Sequence, residues 1–107
     1  MIQHHDIAES LEEPWFAVFG QTAAVHTTEL RKELAADHPL YSRRGQLVVI
    51  AKCGANDDVL VVDTLDPQQL YCVHLTWARH PEATGWPRAH ALKRSELNAF
   101  FATYAGL

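Results

Sequence analysis

The residues with the most chemical potential follow one another along Val73-His74-Leu75-Thr76-Trp77 and the segments Pro81-Glu82 and Trp86-Pro87 just after it. An imidazole changes charge near neutral pH and becomes an acid, a base or a ligand once a carboxylate fixes its orientation. An antiparallel register that sets Leu65 opposite Leu70 places Asp63 diagonal to His74, with Thr76 beside them. Trp77, Glu82 and Trp86 then rim the point where the chain leaves the strand. Aromatic walls carrying a few polar groups suit a small ligand or a partner's side chain. Asp63, His74, Trp77, Glu82 and Trp86 are therefore the candidate ligand- or partner-binding residues. The competing reading makes His74 a satisfied structural histidine and uses both tryptophans to close the core.

Other chemistry is thinly represented. The chain holds seven histidines, but His4-His5-Asp6 are adjacent, and adjacent side chains rarely converge on one ion. His-Glu-x-x-His and Cys-x-x-Cys spacings are both absent, so no metal site is expected. There is no Gly-x-Ser-x-Gly turn and no glycine-rich phosphate loop, so no catalytic residue is assigned and no cofactor is expected. Cys53 and Cys72 fall inside strand-like runs, where cysteine behaves as a small hydrophobe. The expected register sets them two strands apart and four residues out of step, too far for a disulfide. Asp57-Asp58 reads as a pair of turn formers.

The 107 residues, 48% hydrophobic and 21% charged, suit a single α+β domain over 1–107. The apolar run Leu47 to Ala51 is too short to span a bilayer, and the first residues lack the basic and apolar segments of a secretory signal. A cytoplasmic location is expected. Thirteen acidic and nine basic residues leave a formal charge of −4. Asp6, Glu9, Glu12 and Glu13 carry that excess on one short segment. Arg31-Lys32, Arg43-Arg44 and Lys93-Arg94 form no basic stripe, which argues against nucleic acid as a partner.

Periodicity supplies the elements that would position the candidate residues. Ile7 and Leu11, four apart among acids, predict a short helix over 6–13 with Asp6 as its cap; Pro14 either ends it or starts another. Trp15 to Phe19 reads as a helical turn or a strand, with aromatic content favouring strand. A helix follows from Thr27 or Thr28, or from as early as Thr22, and ends at His38-Pro39. Leu30 and Leu34 face the core, and Glu29, Arg31, Lys32 and Glu33 face water. Three runs, Gln46 to Cys53, Val59 to Leu65 and Leu70 to Trp77, predict an antiparallel meander. Asp66-Pro67-Gln68-Gln69 forms the second turn, and Ala89 to Leu92 is a candidate fourth, edge strand. Ser95 caps a last helix whose Leu97, Phe100, Phe101 and Tyr104 make one apolar stripe. That stripe is expected on the face carrying Val62, Val73 and Leu75. The other face, with Val59, Val61, Leu70 and Cys72, is too apolar to be fully wet and calls for the N-terminal segment or a second copy of the chain.

Residues 28 to about 101 resemble a family of small, uncharacterised bacterial proteins. The matching pieces are Glu29-Leu30 with Glu33-Leu34, His38-Pro39-Leu40-Tyr41, Asp57-Asp58-Val59-Leu60, Val73-His74-Leu75-Thr76-Trp77, Pro81-Glu82 and Trp86-Pro87. The family pattern has a glycine shortly after the Thr-Trp pair, where this chain carries Ala78-Arg79. The resemblance implies a small α+β domain and no known activity.

Two functions follow as expectations. One is a non-enzymatic binding protein, immunity-type or regulatory, that occupies a protein partner's surface. The other is a small ligand-binding protein or enzyme using His74, Asp63 and Glu82 near Trp77 and Trp86.

Overall fold

Val59, Leu60, Val61 and Val62 have no solvent exposure at all. An aliphatic run is buried on both sides only in a middle strand whose sheet is covered on both faces. The computed structural model, which describes residues 11–106, has that arrangement. Strands β1 (Trp15–Ala17), β2 (Leu47–Cys53), β3 (Asp58–Asp63), β4 (Asp66–His74) and β5 (Ala89–Lys93) form one antiparallel sheet in the order β1-β2-β3-β4-β5. Helix α1 spans Gly20–Glu33 and helix α2 spans Leu97–Thr103. The fold is α+β.

The expected meander is the middle of a larger sheet, with five strands in place of three or four. Both outer strands come from segments whose patterns are short: β1 pairs Trp15 with Cys53, and β5 pairs Leu92 with Leu70. Most of the 6–13 helix lies outside the described residues. Leu11 and Glu12 belong to no helix, and Pro14, preceded by a cis peptide bond, leads directly into β1, so it neither ends nor starts one. Helix α1 starts at Gly20 and stops at Glu33, well before His38-Pro39.

The β3–β4 turn corrects the register. Asp63 lies opposite Asp66, so the connection is Thr64-Leu65, and Asp66 to Gln69 belong to β4. The buried Asp63 carboxylate decides this. It accepts the Leu65 N–H at 2.9 Å and the Gln46 side-chain amide at 2.8 Å, and pairs with Arg43 at 3.1 Å. Pro67 is tolerated because the pairing is broken by a bulge beside Val62 and Asp63. Beyond it Val59 faces Val73, Leu60 faces Cys72 and Val61 faces Tyr71. Relative to the expected register the strand has slipped by an odd number of residues, which exchanges the faces.

Val62 and Val73 therefore sit on opposite sides of the sheet. Helix α1 covers one core, with Leu30, Leu34, Val49, Val59, Val61, Val73 and Leu75. Helix α2 covers the other, where Leu97, Phe100, Phe101 and Tyr104 pack on Trp15, Leu60, Val62, Leu70 and Cys72. The chain's own helices thus cover the surface that suggested a second copy. Cys72 lies opposite Leu60 and Leu60 opposite Ala51, so Cys53 is two residues out of step with Cys72 rather than four. Both thiols are free and buried, and burial pushes the Cys72 thiol up from its ordinary pKa.

Candidate functional site

The register separates two of the five candidate residues. Asp63 and Asp58 are the two ends of β3, roughly 17 Å apart at about 3.3 Å per residue. His74 lies opposite Asp58. The carboxylate expected to orient His74 is therefore Asp58 and not Asp63. His74 Nδ1 is 2.7 Å from Asp58 Oδ1; the carboxylate side chain is wholly buried and the imidazole is 31% exposed. The Tyr104 hydroxyl donates to Asp58 Oδ2, and the Asn56 side-chain amide donates to that hydroxyl at 2.8 Å. An Asn56–Tyr104–Asp58–His74 chain results, running from the hairpin turn to a half-exposed imidazole. Burial first, and the hydrogen bond to Asp58 second, push the Tyr104 phenol far above its ordinary pKa, so it keeps its proton and donates to the carboxylate. Asp63 serves the hairpin. Burial alone would raise its pKa, but Gln46, Leu65 and Arg43 together hold it below the usual carboxylate value.

Trp77 lies where β4 leaves the sheet, in a strap formed by residues 76–79. Helix α1 holds this strap through two glutamates that were expected to face water. Glu33 is fully buried and Glu29 is 5% exposed. Glu33 Oε1 accepts the Thr76 N–H at 2.8 Å and the Thr76 hydroxyl at 3.1 Å, while Oε2 accepts the Trp77 N–H at 2.8 Å. Glu29 Oε2 accepts the Arg79 N–H at 3.0 Å. Between those bonds Trp77 and Arg79 take left-handed backbone conformations, with φ of 58° and 65°. Such conformations cost a non-glycine residue about 1 kcal/mol or more and persist only where surrounding contacts enforce them. Burial raises the Glu33 carboxyl to about 7, and its hydrogen bond with Glu29 pushes the same way, against the lowering pull of the Thr76 and Trp77 amides.

A cleft of about 370 Å³ opens beside the strap, lined by Gln21, Ala24, Val25, Thr28, Glu29 and Lys32 of α1 together with Trp77 and Arg79. The Trp77 ring meets His26 in a T-shaped arrangement, with centroids 5.3 Å apart, and its indole N–H reaches Asp57 at 3.3 Å. Of the five candidate residues only Trp77 lines this cleft. Glu82 serves through its backbone, whose N–H donates to the Glu33 carbonyl at 3.0 Å. Trp86 lies under the Arg88 guanidinium, 4.7 Å from its centroid.

Glu29, Glu33, Lys32, Arg79 and Asp58 were missed as site residues. One signal pointed to the first two: like charges at i and i+4 on a helix repel, and each glutamate directly precedes a core leucine. Asp58 had no such signal, since acids in a hairpin turn are ordinary. Among the described residues no group of three or more His, Cys, Asp or Glu side chains is placed to hold a metal ion. No helix among them is long and apolar enough to cross a membrane. No family model, curated protein or solved structure matches the chain.

Proposed function

We propose that the protein is a non-enzymatic binding module that grips a protein partner in the cleft between α1 and the 76–79 strap. The observation that carries this reading is the left-handed pair Trp77 and Arg79. Tryptophan and arginine are the residue types that most often dominate binding energy. Here both are held against their backbone preference by buried carboxylates, and backbone strain concentrates where function needs it. The cleft offers a half-buried indole, an exposed Val25 and two cations, Lys32 and Arg79. That chemistry fits an apolar side chain flanked by a carboxylate, as on an acidic loop of another protein.

Affinity capture with the full chain tests the reading. Val25→Asp, Trp77→Ala and Lys32→Glu should each lose a partner that the wild type retains. Leu65→Asp, at an exposed hairpin tip away from the cleft, should keep it. A partner retained by all three cleft variants, or lost with the Leu65 variant alone, refutes the assignment.

The His74–Asp58 pair favours a second reading, a small enzyme with His74 as general base, because a buried carboxylate on one ring nitrogen leaves the other free to exchange a proton. Such an activity would be abolished by His74→Gln while Lys32→Glu left it intact.

A further inference from the structure

Strand β5 closes one end of the sheet, so one of its edges meets no neighbouring strand among the described residues. The His74 N–H donates to the Arg88 carbonyl at 2.9 Å, and Val73 and Tyr71 lie opposite Ala89 and Ala91. Hydrogen-bonded and non-bonded pairs alternate along an antiparallel ladder. The backbone N–H and C=O groups of Ala89, Ala91 and Lys93 therefore point away from β4, to the free edge. The Glu96 carboxylate agrees with this parity by accepting the Lys93 N–H at 2.7 Å. Ala89 and Ala91 are exposed, and no described residue bonds their backbone from the outer side.

That edge opens onto a cavity of about 290 Å³ whose floor is Tyr71, Ala89 and Ala91. Residues 38–40 and Pro87 wall it, and it shares no lining residue with the Trp77 cleft. The walls are tied together through one imidazole. The Leu40 N–H donates to His38 Nδ1 at 3.0 Å, which leaves the proton on Nε2, and Nε2 donates to the Pro87 carbonyl at 2.8 Å. With both ring nitrogens engaged, the polar side-chain group left in the lining is the Tyr71 hydroxyl. Tyr71 is 8% exposed, and its hydroxyl has no hydrogen-bond partner among the described residues. Burial raises the phenol above its ordinary pKa, so it stays a donor. A preformed apolar cavity holding one unpartnered donor is the usual form of a recognition pocket.

We propose that the β5 edge docks an extended, acidic segment of another protein, which joins the sheet as an added strand and seats an apolar side chain in the cavity beside Tyr71. Backbone bonds at Ala89 and Ala91 supply affinity, and the cavity selects the side chain that lies between them. The charge of the partner follows from β5 and its flanks. Residues 88–95 hold Arg88, His90, Lys93 and Arg94 and no acid. Among the described residues none of the three cations pairs with a carboxylate. Lys93 Nζ donates to Gln69 Oε1, Arg94 Nε donates to the Pro67 carbonyl, and Arg88 lies over Trp86. A second copy added antiparallel about Ala91 would set Arg88 of each chain against Arg94 of the other, and like charges so placed destabilise a strand pair. Acids at both ends of a partner segment meet Arg88 and the Lys93-Arg94 pair instead.

The test follows amide spectra of the uniformly 15N-labelled full chain as the peptide acetyl-Asp-Val-Phe-Val-Asp-amide is added, with acetyl-Lys-Val-Phe-Val-Lys-amide as its charge-reversed counterpart. The acidic peptide should saturate, shift the Ala89 and Ala91 amides most and slow their hydrogen exchange tenfold or more. The basic peptide should bind at least tenfold more weakly. Ala91→Pro removes an N–H that points away from β4 and spares the β4–β5 ladder, so it should weaken binding at least tenfold. Arg88→Glu leaves the β5 backbone intact and should weaken it as much, which keeps the test decisive if the proline variant does not fold. Absence of a saturable shift, equal binding of the two peptides, or shifts centred on Trp77 and Arg79 overturns the proposal. So does undiminished binding by Arg88→Glu. A chain that is dimeric by light scattering, with Ala89 and Ala91 protected before peptide is added, assigns the edge to a second copy and overturns it as well.

Discussion

Glu33 should tie the stability of this fold to pH with a sign opposite to that of a paired surface carboxylate. Its carboxyl rises from an ordinary value of 4.5 to about 7 on folding, through burial and the hydrogen bond with Glu29. The folded state then holds a proton that the unfolded state has released across that window. Stability from this group is full below pH 4.5, falls as pH rises toward 7 and is flat above it. At about 1.4 kcal/mol per pH unit the whole span corresponds to about 3 kcal/mol. Asp63 works the other way: held below its ordinary value, it stabilises above that value and loses its contribution only as pH falls through the folded one. Glu29→Gln removes the part of that shift due to Glu29 and leaves the larger part due to burial. The introduced side-chain oxygen can still accept the Arg79 N–H. Urea unfolding at pH 5, 6, 7 and 8 should show both proteins losing stability as pH rises toward 7, the variant by about 1 kcal/mol less than the wild type. A wild type that gains stability relative to the variant between pH 5 and 8 would refute the account of the carboxyl pair.

Arg79→Gly should relieve left-handed strain, raising thermal stability by about 1 kcal/mol or less while weakening partner capture; lower stability would show that Arg79 is not strained. Tyr104→Phe leaves Asp58 Oδ2 without its phenol donor and should cost about 1–3 kcal/mol in denaturant unfolding, most of it absent when Asp58→Asn is already present. Asp63→Ala strands the Gln46 amide and the Leu65 N–H at the β3–β4 turn and should cost about 2–4 kcal/mol, read as a shifted urea midpoint. Leu60→Ala opens a cavity between β3 and α2 and should cost about 3–5 kcal/mol with no effect on partner capture.

Much of the architecture was legible from local pattern. The two runs of Val and Leu in 46–65 and the stripe Leu97, Phe100, Phe101 and Tyr104 identify strands and helix because their periodicity is a property of neighbours along the chain. A His74–carboxylate pair and the place of Trp77 where β4 leaves the sheet were legible for the same reason: residue type and strand position are local facts. Which acid faces His74 was not, because it depends on register, and register at β3–β4 was set by a buried Asp63 satisfying Leu65, Gln46 and Arg43. An odd-numbered slip then exchanged the two faces, and with them the seat of α2 and the partner of His74.

The amino-acid order by itself determined the central meander, the helix on either side of it, the acidic balance and the absence of familiar catalytic motifs. Only the tertiary structure turned Glu29 and Glu33 from solvated helix charges into the clasp of a strained strap. Their acceptor oxygens meet donors from residues more than forty positions away, and a carboxyl's proton affinity follows from that surrounding rather than from its place in the chain.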